Sequence, residues 1–213
     1  MTVRARVLEA LGTVYDPELD EPITTLGFVG SCVVDEDEVE VRLRLPTPQC
    51  APNFAFLMAA DAAGAVRAVA DGRSVSVVLE DHYTGAEINR AVNRGDGFAD
   101  AFPGETAGDL DALRRLFQRK ALLARQSRLL AVPASRLGEL TGPDSERCRE
   151  LRRALGIDAS DDAPAFVTGD GAPVDGSDVR FRRMASLTAL SLETNGGMCR
   201  DLLRTRYGEG VAA

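Results

Sequence analysis

A cysteine in a loop framed by prolines is the side chain best placed for chemistry in this sequence. Cys50 follows a segment of alternating apolar residues and precedes an alanine-rich segment that we expect to begin a helix near Pro52. The free amides of a helix N-terminus stabilise a thiolate placed beside them. Pro48 and Pro52 would hold the loop in shape. Spacing alone favours equally a reactive or metal-binding thiol and a small buried apolar residue.

Two further residues are candidate partners for this thiol. His82, the one histidine, follows a predicted strand beside Asp81, whose carboxylate can orient an imidazole ring. Cys199 follows Gly196-Gly197 at the start of a predicted final helix, where free amides and a close backbone approach are available. The competing interpretations are a structural histidine at a strand end and a cysteine in the hydrophobic core.

Carboxylates at Asp16-Pro17-Glu18 form another candidate site, because acidic groups beside a rigid proline can receive a metal or a cation of a partner. The simpler interpretation is a helix stop followed by a turn. The acidic run 35–38 favours a solvated hairpin turn over a metal site.

The elements that must position these residues follow from periodicity. We expect helices over 3–14, from 52 to about 70, from about 85 to 93, and over 109–131, 145–155 and 196–206. Strands are expected over 27–34, 38–46, 75–79, 166–167 and 179–181, with a linker over 95–109. The predicted fold class is α/β (α+β): a small three-stranded sheet with helices in residues 1–100, then a mainly helical C-terminal extension over 105–213. Three strands bury little surface, so we expect the extension to pack on the first domain, or the chain to form a homodimer.

Composition excludes several classes of function. Residues 1–100 carry 17 acids and 8 arginines, a formal charge of −9, which argues against nucleic acid and anionic membranes as partners. The chain has no phosphate-binding Gly-rich loop with Lys-Ser/Thr, and one histidine cannot form a His-Glu-x-x-His zinc site. The four cysteines form no Cys-x-x-Cys, and no signal-like or membrane-spanning apolar run is present. We therefore expect a cytoplasmic protein with reduced thiols.

Three segments in register resemble the small α/β domain of iron–sulfur cluster assembly factors, which includes SUF-associated and PaaD-like proteins. They are 14–19 (Val-Tyr-Asp-Pro-Glu-Leu), 23–29 (Ile-Thr-Thr-Leu-Gly-Phe-Val) and 45–52 (Leu-Pro-Thr-Pro-Gln-Cys-Ala-Pro). The resemblance implies that Cys50 handles metal or clusters and that Asp16, Pro17 and Glu18 form the family's acidic motif. Thr25 stands where the family commonly has Asp, and Ala51 separates Cys50 from the proline that commonly follows it directly. The full chain is similar to longer proteins that accompany bacterial soluble di-iron monooxygenases.

From these observations we expect a non-enzymatic maturation factor for an iron–sulfur or di-iron metalloenzyme, with a client such as a di-iron monooxygenase. One thiol cannot fill a tetrahedral site, so a transient iron or iron–sulfur ligand set would combine Cys50 with Cys199 and His82, or with a second subunit. Two alternatives remain at this point. One is a metal-independent interaction module or chaperone, and the other is an enzyme with Cys50 as nucleophile and His82 as base.

Overall fold

The structure is a computed structural model that describes residues 1–104 and 110–208. It divides into two compact units, the first drawn from Met1–Leu110 and Gly196–Ala213 and the second from Asp111–Asn195. Residues 196–208 therefore group with the N-terminal part, whereas the sequence analysis assigned them to the C-terminal region. The predicted linker over 95–109 contains a short helix, and its residues 105–109 lie outside the described part.

The first unit is built on a three-stranded sheet beside a two-stranded ribbon. The strands are β1 (Tyr15–Asp16), β2 (Glu21–Pro22), β3 (Val29–Val34), β4 (Glu38–Arg44) and β5 (Ser74–Glu80). The helices are α1 (Val3–Leu11), α2 (Pro52–Arg67), α3 (Gly85–Arg94) and α4 (Phe98–Ala101). The order is β3-β4-β5, with β3 antiparallel and β5 parallel to β4. Helix α2 makes the crossover that a parallel pair requires. The predicted α/β fold class and three-stranded sheet are confirmed.

The central strand shows why the sheet forms. Val39, Val41 and Leu43 are buried in the main hydrophobic core, while the residues between them are half-buried. This period of two is the pattern of a strand with one covered face. On the other face Glu80 accepts from Arg42 at 3.1 Å and from Arg44 at 2.6 Å, so opposite charges pair across neighbouring strands.

Two asparagines of α3 close the free edge of β5. Asn93 accepts from the backbone N–H of Val77 and donates to its carbonyl, both at 2.9 Å. Asn89 makes the same pair of bonds with Leu79, at 2.7 and 3.2 Å. One helical turn advances about as far as two strand residues, so amides four apart on a helix match alternate residues of a strand. The side chains satisfy backbone groups that a further strand would otherwise bind.

Some predicted boundaries in this unit were wrong. Helix α1 ends at Leu11 rather than at residue 14, because the chain turns at Gly12 and Thr13 and then enters β1. The β1–β2 ribbon was missed, since strands of two residues leave no periodic signal.

The second unit contains α5 from Asp111 onward, α6 and the first part of α7. Their bounds are α5 (Leu110–Leu129), α6 (Pro143–Leu155) and α7 (Val179–Tyr207), with a 3-10 turn at Leu137–Glu139. Two buried side chains hold the extended segment 164–167. Arg152 donates to the carbonyls of Pro164 at 2.9 Å and Ala165 at 2.7 Å, and Gln126 bonds both backbone groups of Val167. Gly156 ends α6 in the left-handed conformation, which glycine adopts without the strain that a Cβ would cause.

The C-terminal helix differs most from expectation. Residues 179–181 begin α7 and do not form a strand, and residues 166–167 contribute only an isolated bridge from Val167 to Pro173. Helix α7 has 29 residues, so the predicted helix over 196–206 is its last part. We call residues 196–208, which belong to the first unit, the C-terminal arm. None of the described helices is long and apolar enough to cross a membrane.

Candidate functional site

Cys50 lies in the loop between β4 and α2, two residues before Pro52 starts the helix, as the sequence predicted. Its side chain is half-buried and borders the main core. The Thr47 hydroxyl lies 3.5 Å from Cys50 Sγ, and the Cys50 N–H reaches the Thr47 carbonyl at 3.5 Å. The loop thus holds a partly accessible thiol just before the N-terminus of a 16-residue helix.

His82 contacts the same loop through the backbone. Its Nε2 lies 2.7 Å from the carbonyl oxygen of Cys50. On the other side of the ring, Nδ1 accepts from the backbone N–H of Thr84 at 3.3 Å and lies 3.1 Å from the Thr84 hydroxyl. Burial lowers the pKa of His82, although the bond to Cys50 acts in the opposite direction. The bond to Cys50 goes to its carbonyl and not to Sγ, so the geometry is not that of a nucleophile and its general base.

Cys199 lies on the C-terminal arm, half-buried against the main core of the first unit. Burial, together with the charges of Asp16, Cys50 and Glu18, raises the pKa of its thiol to about 11. Cys199 is therefore a neutral thiol at pH 7, near both Cys50 and the acidic motif. The expected helix start at Gly196-Gly197 was wrong, because both glycines lie inside α7 and supply no N-terminal amides.

The acidic motif folds into a tight turn. Asp16 is 7% exposed, and one of its carboxylate oxygens accepts from the N–H groups of Glu18 and Leu19, both at 2.8 Å. Burial raises the pKa of Asp16 to about 6, although these two bonds act in the opposite direction. Glu18 and Thr25 are exposed, and Pro17 is half-buried. The two hydrogen bonds within the turn give the Asp16 carboxylate a structural role, and the Glu18 side chain stays accessible to solvent.

The structure thus brings Cys50, Cys199 and the acidic motif into one neighbourhood and places His82 against the Cys50 backbone. In the described ranges 1–104 and 110–208, no group of three or more histidine, cysteine or acidic side chains is arranged to hold a metal ion. What the arrangement offers is two neighbouring thiols, both of them free, one beside a helix N-terminus and one on the arm.

Residues of the arm that secure this neighbourhood were missed by sequence analysis. Arg206 donates to the carbonyls of Leu45 at 3.3 Å and Asp81 at 3.0 Å, and the Tyr207 hydroxyl donates to the Asp81 carboxylate at 3.3 Å. Arg200 pairs with Glu21 at 2.7 Å. These contacts join residues more than a hundred positions apart, so no local sequence pattern predicts them.

The match to a family model falls on the N-terminal part of the chain. The family model for iron–sulfur cluster assembly proteins matches residues 4–78. An uncharacterized protein of Methanocaldococcus jannaschii is 36% identical over 91 residues, which is 42% of this chain and 93% of that protein. This chain belongs to the iron–sulfur cluster assembly protein family. No solved structure gives a significant match.

Membership in this family indicates a role in cluster assembly or maturation. The matched residues include Cys50 and the acidic motif but neither His82 nor Cys199.

Proposed function

We propose that this protein is a maturation factor that receives an iron–sulfur cluster or iron through Cys50 and delivers it to a client metalloenzyme. The cluster or iron is its cargo. The observation that carries the proposal is a half-buried thiol within the family segment, next to a helix N-terminus, with a second thiol from the C-terminal arm nearby. A di-iron monooxygenase is the client that we propose from the sequence resemblance.

Two thiols suit a carrier better than a permanent site. An iron–sulfur cluster is held by four thiolates, and Cys50 with Cys199 would supply two of them. The donor, the client or a second copy of the chain would supply the rest, so the cargo would be shared and then released. Because burial raises the pKa of Cys199, its proton must leave as metal binds, and loading should weaken as pH falls.

Anaerobic reconstitution with iron and sulfide tests this proposal. Iron per chain and thiolate-to-iron absorption in the visible range would be measured for the native protein, Cys50→Ala, Cys199→Ala and the control Cys32→Ala. Cys32 is buried on β3 in the same unit and packs in the main core, so its replacement controls for loss of one thiol. We expect Cys50→Ala to lose the absorption, Cys199→Ala to weaken it and Cys32→Ala to retain it. Equal iron in Cys50→Ala and the native protein would contradict the proposal.

Two observations favour a second candidate, a metal-independent interaction module. Within the described residues no three side chains are set to hold a metal, and the first hundred residues carry a formal charge of −9. An acidic surface of this kind suits a basic face of a client. Binding to a client that survives Cys50→Ser and does not depend on iron would support this candidate over the carrier.

A further inference from the structure

We propose that His82 is a positioning residue that fixes the loop carrying Cys50. The functional consequence of this inference rests on the proposed function, because a restrained loop affects function when Cys50 accepts cargo. Its geometry stands independently, on the hydrogen bonds from His82 and Tyr83 to the loop over 46–50.

The hydrogen-bonding partners fix the state of the ring. A backbone N–H can only donate, so the Thr84 N–H requires an unprotonated Nδ1. A neutral imidazole then carries its proton on Nε2, which faces a carbonyl oxygen that can only accept. His82 therefore donates from Nε2 to Cys50 at 2.7 Å. Both ring nitrogens are engaged, and metal ligation by either would break one of these bonds.

The bond from His82 is the shortest hydrogen bond that the described residues make to this loop. Within the described part, the loop's own bonds are longer: Cys50 N to Thr47 O is 3.5 Å, and Gln49 N to the Thr47 hydroxyl is 3.3 Å. A second bond from the same segment, Tyr83 N to Pro48 O at 3.0 Å, lies next to it. Two adjacent residues thus donate hydrogen bonds to two carbonyl oxygens of the loop. Both bonds go to the loop's backbone and not to its side chains.

A segment that restrains Cys50 without touching its thiol has a testable signature. Loss of the Nε2 donor should let the loop open more often and expose Sγ. The charged groups around the thiol and the packing of the rest of the core should stay unchanged. Removal of one ordinary hydrogen bond changes such an opening equilibrium by about fivefold to tenfold.

The experiment measures alkylation of each cysteine by iodoacetamide in the metal-free protein, resolved by peptide mass spectrometry. The variants are His82→Gln, His82→Asn and His82→Ala. The glutamine amide reaches the position of Nε2 and can still donate to the Cys50 carbonyl, whereas the shorter asparagine reaches only the position of Nδ1. We expect Cys50 to react about fivefold to tenfold faster in the asparagine and alanine variants and within about twofold of native in the glutamine variant. Buried Cys32 and Cys148 report general unfolding and should not change.

Two results would overturn the proposal. Cys50 rates that are unchanged in the asparagine and alanine variants would show that His82 does not restrain the loop. Equal acceleration of Cys50, Cys32 and Cys148 would show a loss of the fold instead.

If His82→Gln lost iron in the reconstitution assay with native thiol rates in all variants, His82 would be a ligand, and the carrier proposal would stand without the positioning role. If His82→Ala fails to fold, the matched pair of glutamine and asparagine carries the test.

Discussion

Replacement of Asp16 by asparagine should stabilise the first unit by an amount that grows with pH. The Asp16 carboxylate is 7% exposed, and burial raises its pKa from the ordinary 3.8 to about 6. Asparagine keeps an oxygen that can accept from the N–H groups of Glu18 and Leu19, but it carries no ionisable proton. The substitution thus removes the cost of a buried charge while it retains the turn.

The size of the effect follows from linkage between ionisation and folding. Below pH 3.8 the carboxyl is protonated in both states and costs nothing. As pH rises, the unfolded chain ionises first, so the folded state loses stability until Asp16 itself ionises near pH 6. Ionisation of buried Asp16 lowers the free energy of unfolding by about 3 kcal/mol in full, of which about 2 kcal/mol develops between about pH 4.5 and pH 7.5.

Urea unfolding at these two pH values, followed by far-ultraviolet circular dichroism, measures the difference between the native protein and Asp16→Asn. Hydrogen exchange at the amides of β4 reports the first unit alone. We expect the variant to gain about 2 kcal/mol relative to native on going from the lower to the higher pH. Asp37→Asn, at an exposed turn position, is the matched control. A difference between Asp16→Asn and native that does not change with pH, or that falls as pH rises, would refute the reasoning.

Three further predictions concern the contacts that hold each unit together. Asn93→Ala leaves both backbone groups of Val77 unsatisfied at the edge of β5 and should cost about 2 kcal/mol in urea unfolding; a native midpoint would refute it. Arg152→Met leaves two buried carbonyls without donors and should destabilise the second unit by about 3 kcal/mol, seen as faster hydrogen exchange confined to that unit. Arg206→Ala frees the arm from two carbonyls and should speed alkylation of Cys199 by about fivefold, whereas an unchanged rate would show that other contacts suffice.

Sequence reasoning located the Cys50 loop because its signals are local. Alternation along β4 and a proline at the start of α2 bracket the loop, and both confine the backbone within a few residues. The same kind of argument correctly placed α2 and β5.

The arm could not be predicted in the same way. Gly196-Gly197 was interpreted as a helix start, because glycine is unfavourable within a helix. In the structure a Cβ at Gly196 would lie 2.9 Å from a carboxylate oxygen of Glu21, so this glycine permits a close approach between segments distant in sequence. That packing requirement outweighs helix propensity and leaves no trace in the neighbouring residues. For the same reason the roles of Arg206 and Tyr207 emerge only once the fold is known.

The central claim, that Cys50 carries cargo, is tested most directly by transfer. Native protein, Cys50→Ala and Cys32→Ala would each be incubated anaerobically with iron and sulfide and then mixed with an apo iron–sulfur acceptor protein. Appearance of the acceptor's cluster would be followed by circular dichroism in the visible range. We expect native protein and Cys32→Ala to load the acceptor faster than free iron and sulfide do, and Cys50→Ala to give only the rate without a carrier. Equal rates for Cys50→Ala and the native protein would contradict the account.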